Sequence, residues 1–410
     1  MVRLDGFATS VARFNADSDR ANLNCNEDPQ NSKSDKDENA SLGITHNLSP
    51  VYHPMKTYKN LYKELCSLEN LERAFKKAKK RKSKKHYIIE FEGNLEEELN
   101  NLHHELASFT YQPRPLIRFI IRDPKTRTIH ASDFRDKVVY HALVNVLNPI
   151  FEPIFIFDSY ASRKNKGTHK AIQRFDCFKR KVTNNGQLIK NPYGNNSVVG
   201  YVLKADIRHY FDTVDHEILL NILRRKIKDK DVMWLVKKIL DNFDAKIKGK
   251  GMPLGNLTSQ FFANIYLNEL DQFVKHELKA KYYMRYVDDF IILHDNLAVL
   301  EEYKEKIEYC IKNLGLELHP EKSKIMPLKA GVTALGYRNF YHYKLLRISN
   351  KRKFEKYFHK KLQYYREGFL SKNDILKYLQ GWFGYAQWAN TYKYRKEIVN
   401  KIDDIYQSKQ

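Results

Sequence analysis

Cysteine is scarce: four residues, Cys25, Cys66, Cys177 and Cys310, stand far apart in 410 positions with no CxxC pair. That pattern argues against a zinc ribbon, a thioredoxin-type site or a disulfide framework, and a reducing compartment is expected. Long apolar runs are also missing. No stretch approaches 18 uninterrupted apolar residues, and the N-terminus lacks the basic segment and apolar run of a secretory signal. The expectation is a cytoplasmic chain with no membrane partner. Negative charge is short as well, 49 Asp+Glu against 72 Lys+Arg, a formal charge of +23. A surplus of that size attracts polyanions, so nucleic acid is the first partner to consider. The histidines read as structural: His103, His104, His169 and His209 have no second ligand at metal spacing, and zinc is not expected.

Core material is ample, at 42% hydrophobic and 13% aromatic, enough for two or three lobes. Residues 1–55 include a long tract of Asn, Asp, Ser, Lys and Glu that cannot bury enough apolar area to offset its ordering entropy, so a disordered leader is expected. Eight of the ten residues at 76–85 (KKAKKRKSKK) are basic. This run is either a solvated helix face or a phosphate-contacting stripe in which Lys79, Lys80, Arg81 and Lys82 meet nucleic acid. A helix is expected over 90–108, then a hairpin around Asp123-Pro124-Lys125-Thr126, then a helix over 136–147. Residues 155–199 combine a loop, a basic helix and a polar Asn/Gly-rich insertion. Strands are expected at 198–207 and on both sides of Val287-Asp288, with helices at 216–227, 231–240 and 259–278. That mixed order predicts an α+β fold with an antiparallel element rather than a doubly wound sheet.

The strongest chemical signal is KYYMRYVDDFIILHD, two strand-like segments with Asp288 and Asp289 between them. Adjacent acids in a turn are commonly plain turn formers. A second apolar approach, VVGYVLKADIRHYF, delivers Asp206 in the same manner. Carboxylates from separate strands repel unless a divalent ion lies between them, and hard oxygen donors select magnesium or manganese. Between the two strands, GMPLGNLTSQFF places Pro253 and Gly255 before a long helix; it is either an ordinary capped helix start or a close backbone approach to a ligand.

Asp206 in ADIRHYF, Gly255 in PLGNLTSQ and the YVDD of 286–289, in this order, resemble the palm motifs of reverse transcriptases. The resemblance spans about 61–388 and implies a right-hand polymerase fold with fingers, palm and helical thumb, making DNA on an RNA template with two Mg2+ ions, Mn2+ being the alternative. It implies a metal set of Asp206, Ile207, Asp288 and Asp289. Phe211 takes the place of an aromatic gate against the ribose 2′-hydroxyl. Lys125, Arg127 and Arg135 resemble cations that hold the triphosphate, joined at the nucleotide by Leu254, Gly255 and Gln260; Arg135 reads equally as a structural ion-pair residue. Lys322 or Lys324 fills the place of a lysine that protonates departing pyrophosphate. ALGYRNF resembles a primer-grip turn, with Gly336 and Tyr337 at the nucleic acid, and Lys351 and Arg352 follow on a basic helix. That helix puts Phe354, Tyr357, Phe358, Leu362 and Tyr365 on one face, and GWFGYAQWANTYKY reads as a second aromatic helix. The implied lobes are N-terminal helices and fingers over 56–197, palm over 198–345 with fingers interleaved near 216–260, and thumb over 346–410.

Leu254-Gly255 and Ser259-Gln260 stand where many members of the family carry Gln-Gly and Ser-Pro. The form LGxxxSQ, with IIRDPKTRTIHASDFRDK and FDSYASRKNKGTHKA, resembles enzymes of diversity-generating retroelements. That subtype implies error-prone cDNA synthesis opposite template adenine, a structured RNA, a DNA primer, dNTPs and a basic accessory protein. Antiphage-defence, retron and group II intron enzymes share the palm and remain alternatives, although the CxxC-bearing endonuclease region of intron enzymes is not expected here. Outside the class stands a catalytically silent RNA-binding protein, which the three acids oppose.

Overall fold

The computed structural model describes residues 56–123, 125–189, 197–245 and 247–407. The leader expected at 1–55 and the centre of the polar insertion, 190–196, lie outside the described residues. The fold is α+β.

The chain begins with helices α1 (Tyr62–Cys66), α2 (Leu68–Lys79), α3 (His86–Gly93) and α4 (Leu95–Ala107). One apolar stripe of α2, Leu71, Ala74, Phe75 and Ala78, is buried, and this helix packs along α5 (Phe134–Phe151). The single helix expected over 90–108 is two helices broken at Asn94, whose φ and ψ of −115° and 31° leave the helical range. Gly93 is costly inside a helix, and an Asn such as Asn94 competes for backbone hydrogen bonds in non-helical conformations. Strands β1 (Ile117–Ile121) and β2 (Arg127–Ala131) form the expected hairpin, with Ile121 opposite Arg127. Asp133 caps α5 by accepting from the Arg135 N–H, which starts the helix two residues earlier than expected.

The central sheet has the order β4-β5-β3-β6 and is antiparallel throughout, built from β3 (Tyr201–Asp206), β4 (Tyr282–Tyr286), β5 (Asp289–His294) and β6 (Lys324–Pro327). Its two faces follow the period of two. Leu203, Ala205, Tyr283, Phe290 and Ile292 enter the main core with Leu300, Ile307 and Ile311 of α11 (Leu297–Asn313). Val202, Met284, Ile291 and Leu293 face the other way, onto Ala171, Phe175 and Phe178 of α6 (Thr168–Val182). Both faces are therefore covered, which fixes register. Helices α7 (Tyr210–Thr213), α8 (His216–Lys226), α9 (Lys230–Asp241) and α10 (Leu257–Gln272) connect β3 to β4, and a π-helical turn, Phe273–Glu277, ends α10.

A second sheet, β7 (Val332–Ala334), β8 (Tyr337–Asn339) and β9 (Lys344–Leu346), leads into α12 (Ile348–Arg366), α13 (Lys372–Ala386) and α14 (Tyr392–Gln407). These three helices close a separate core around Phe354, Phe358, Leu362, Ile375, Leu379, Phe383, Ile398 and Ile402. Tyr357, expected on the buried face, is 45% exposed. The expected second aromatic helix is divided between α13 and α14. Among the described residues no helix is long and apolar enough to cross a membrane.

Candidate active site

Strand β3 ends at Asp206 and β5 begins at Asp289, and the register places these two residues directly opposite each other. Asp288 occupies the turn between β4 and β5, and its carbonyl accepts from the Ile207 N–H at 3.3 Å. Three acids from two segments distant in sequence therefore meet at one end of one sheet. Val287, beside them, has φ +58°, a left-handed conformation that a β-branched residue rarely adopts.

The electrostatics follow from that crowding. Burial, joined by the charges of Asp289 and Asp206, pushes the Asp288 carboxyl up to about 6 against its own backbone hydrogen bond and the field of Lys322. Burial also raises Asp289, against the fields of Lys204, Lys322 and Lys125. Asp289 Oδ1 is buried without a hydrogen-bond partner, with Lys204 Nζ 3.9 Å away. Lys322 Nζ donates to Asp206 Oδ2 at 2.9 Å.

The expected metal set is therefore brought together, yet among the described residues no three His, Cys, Asp or Glu side chains form a ready ligand cluster. Lys322 supplies a counter-charge at Asp206. The donors nonetheless fit a hard divalent ion: carboxylate oxygens, one of them an orphan, on two rigid strands. Ile207 is buried, and its backbone bridges to Leu318. Asp206 is further clamped by residues that sequence reasoning missed. Its carbonyl accepts from the His319 N–H at 2.7 Å and its N–H donates to Ser323 Oγ at 3.3 Å. Of the two candidate lysines, Lys322 reaches the acids, whereas Lys324 pairs with Lys204 in the β3–β6 ladder.

The hairpin lies over this end of the sheet. Lys125, in its turn, is near enough to lower the Asp289 carboxyl, and Arg127 is exposed at the start of β2. The His130 N–H donates to the Leu254 carbonyl at 3.3 Å. Gly255 has φ +109°, and a Cβ there would lie 3.1 Å from Ile129 Cγ2, so hairpin and loop approach through the one residue without a side chain. Asn256 Oδ1 accepts from the Ser132 N–H and Oγ at 3.4 and 3.2 Å. Phe211 is half-buried, its carbonyl accepting from the Met252 N–H at 2.7 Å. Gln260 is exposed, and its Oε1 accepts from Ser162 Oγ at 3.0 Å.

Two expectations, Tyr337 and Lys79, are corrected, and the two readings of Arg135 are decided for the ion pair. Arg135 is turned into the N-terminal core, paired with Glu105 and with Asp136 at 3.7 Å and lying over the Tyr111 ring, so it is not free for a triphosphate. Tyr337 is 1% exposed; it stacks on Tyr385, donates to the Tyr385 carbonyl at 2.8 Å, and receives no access to nucleic acid. The Gly336 carbonyl in turn accepts from Tyr385 Oη at 2.8 Å, so this turn docks β8 onto α13. Lys79 closes α2 and is paired with Glu92, whereas Lys80, Arg81 and Lys82 are exposed in the turn that follows. Lys351 and Arg352 are exposed on α12, Lys351 lying 4.3 Å above the Tyr394 ring. A further link was not foreseen: Lys353 of α12 pairs with Asp123 at the hairpin turn, joining two lobes across the site. A cavity of about 410 Å³ lined by Gln112, Trp234, Lys237 and Asn242 is formed by residues other than the acids.

An antiparallel sheet with acids at one end, a hairpin above it and a helical lobe alongside is the layout of a right-hand polymerase. Residues 122–339, over half of the chain, match the family described as reverse transcriptase (RNA-dependent DNA polymerase), and the chain belongs to that family. It is 28% identical over 287 residues to protein YkfC of Escherichia coli K12, covering 60% of this chain and 72% of that protein. It is 29% identical over 248 residues to the group II intron-encoded protein LtrA of Lactococcus lactis, covering 58% of this chain but only 38% of LtrA. Among solved structures, apo telomerase of Candida tropicalis aligns over 59% of this chain and 57% of its own, at 14% identity and a TM-score of 0.38, too remote a likeness to carry an argument.

Proposed function

We propose that the protein is an RNA-directed DNA polymerase whose Asp206, Asp288 and Asp289 hold two divalent cations, Mg2+ or Mn2+, before an incoming dNTP. The observation that carries this reading is the β3–β5 register that sets Asp206 opposite Asp289, with Asp288 in the adjoining turn. Bound there, such ions would activate a primer 3′-hydroxyl and stabilise the leaving pyrophosphate. The chain's own residues do the rest. Lys125 and Arg127 take the triphosphate from the hairpin side, and Phe211 limits the room beside the sugar. Lys322, released from Asp206, stands where a proton can be given to the leaving group.

The lobes follow: helices and hairpin over 56–197 as fingers, 198–345 as palm, and 346–410 as thumb, the last supported by its separate core. Exposed Lys80, Arg81, Lys82, Lys351 and Arg352 track the backbone of template and primer. Within the family, LGxxxSQ supports the diversity-generating subtype, copying a structured RNA with errors at adenine alongside a basic accessory protein. Leu254 is half-buried next to the hairpin, so an apolar group replaces a polar one close to the nascent pair. A group II intron-like role is the second reading, favoured by the identity to LtrA.

Primer extension on poly(rA)/oligo(dT) with Mg2+ tests the activity, and sequencing of the cDNA from a mixed RNA template tests the subtype. Incorporation that vanishes in Asp206→Ala is expected. Errors concentrated at adenine, and reduced in Leu254→Gln, are expected of the diversity-generating reading; a flat error spectrum in both proteins speaks for the intron-like one.

A further inference from the structure

Arg285 lies in β4, its side chain fully enclosed, three residues before the first acid of the turn. All five of its guanidinium N–H groups have acceptors. Nε and Nη2 form a fork on Asp271, donating to Oδ1 at 2.8 Å and Oδ2 at 2.6 Å. Nη2 also donates to Ser159 Oγ at 3.2 Å, and Nη1 to Asn264 Oδ1 at 3.2 Å. The remaining donor of Nη1 goes to the Val287 carbonyl at 3.0 Å. Asp271 is itself fixed, accepting from Tyr283 Oη at 2.6 Å, and both it and Asn264 sit on α10.

Four of these bonds tie Arg285 into the core, and the fifth reaches out to the turn. That bond falls on the one residue of the turn whose backbone is strained, Val287 at φ +58°. A β-branched residue holds such a conformation only where its surroundings impose it. The Val287 carbonyl is also the acceptor half of the peptide that leads into Asp288. Rotation of that peptide would break the bond to Arg285 and redirect the Asp288 and Asp289 side chains together. The pair with Asp271 is charge-neutral, so its effect on the acids is one of geometry rather than field.

We propose that Arg285, anchored by Asp271, is a positioning residue: it fixes the left-handed Val287 turn and thereby aims Asp288 and Asp289 at the divalent cation. The kinetic part of the test rests on the polymerase reading; the metal-binding part does not. Arg285→Lys keeps the charge opposite Asp271 but cannot hold Asp271 and the Val287 carbonyl in one fork. The double variant Arg285→Met with Asp271→Leu removes both buried charges, an exchange that commonly preserves folding. Val287→Gly makes φ +58° free of steric cost, so it is the expected rescue.

Mn2+ binding to the protein is followed by electron paramagnetic resonance, beside the thermal midpoint and the Mg2+ dependence of primer extension. Arg285→Lys and the double variant are expected to bind Mn2+ about tenfold more weakly, as outer-shell changes commonly do. The Mg2+ half-saturation should rise in step, and Val287→Gly added to Arg285→Lys should recover much of both losses. Wild-type Mn2+ affinity in a folded double variant, or no recovery on adding Val287→Gly, overturns the proposal. A wild-type protein that binds Mn2+ yet extends no primer sinks the polymerase reading alone, and the binding data still decide the role of Arg285.

Discussion

Strand β1, IRFII, and strand β5, DFIILH, draw on nearly the same apolar alphabet and meet opposite fates. Phe290, Ile291, Ile292 and Leu293 of β5 are all buried, between two neighbouring strands and under helices on both faces. Every residue of β1 is exposed, and its one neighbour is β2. The difference is made by partners rather than by propensity. A lone two-stranded hairpin is marginal in water, and this one leans on the loop before α10 through His130–Leu254 and the Ile129–Gly255 contact. The rigid sheet carries the acids, and the loosely held hairpin carries the cations proposed for the triphosphate. A site that must keep its carboxylates still while admitting successive nucleotides is served by that division.

The largest effect belongs to the sheet. Asp288→Ala is expected to lower primer extension by at least about 10²-fold, the scale of losing a group that supports developing charge. Its thermal midpoint should hold or rise, because the substitution removes a half-buried acid crowded by Asp289 and Asp206. A variant that loses activity only in proportion to lost folded protein would erase the distinction between sheet and hairpin.

Next come two arginines that charge patterning treats alike. Arg127→Ala, on the exposed hairpin, is expected to raise the KM for dNTP roughly tenfold with no change in thermal midpoint, since one charge-assisted contact is worth about 1.5–3 kcal/mol. Arg135→Ala should do the reverse. It removes the cation beside buried Asp136, which keeps its bonds from Tyr111 Oη and the Arg114 N–H, together with the pair to Glu105, and is expected to cost about 2–3 kcal/mol of stability with dNTP affinity kept in the folded fraction. Thermal denaturation beside steady-state kinetics separates the two; equal KM changes would return Arg135 to the nucleotide site.

That contrast also marks where sequence stops being informative. Asp206, Asp288 and Asp289 were legible because each stands at the end of an apolar run, where a charge marks the limit of a strand. The hairpin was legible from two apolar runs around Asp-Pro. Burial of a charged or aromatic group is not written in its neighbours along the chain, and so Arg135 stayed open between ligand and ion pair and Tyr337 was placed at nucleic acid, although Glu105, Asp136 and Tyr385 claim them. Strand β6 has the polar lead KSKIMP and gains strand character from pairing with β3. The fork of Arg285 on Asp271 spans 14 positions and depends on α10 passing beneath β4, a tertiary fact with no local signature.

A smaller effect tests how the hairpin is attached to the sheet's loop. Gly255→Ala places a methyl 3.1 Å from Ile129 Cγ2 in a backbone conformation that disfavours a side chain. The expected cost is about 1–2 kcal/mol of stability. Because the strain falls on the hairpin contact, hydrogen exchange should quicken in β1 and β2 while β3 and β5 stay protected. Uniform quickening across both sheets would mean that hairpin and sheet open as one unit.

The smallest effect concerns the link between the hairpin and α12. Lys353 and Asp123 are both about half exposed, and a pair in that setting is worth at most about 1 kcal/mol. Lys353→Ala should therefore leave the thermal midpoint almost unchanged. Its consequence should appear instead with nucleic acid, because a lysine freed from Asp123 on a basic helix is available to a phosphate. If Lys353 exchanges its carboxylate for a phosphate on binding, the variant loses one ionic contact, and the slope of log Kd against log salt falls by about 0.7–0.9. Asp123→Asn should instead strengthen duplex binding slightly, since the lysine no longer has a carboxylate to leave. An unchanged slope in Lys353→Ala would mean that the pair persists in the complex, and the hairpin and α12 would then close around the template and primer as a ring rather than part to admit them.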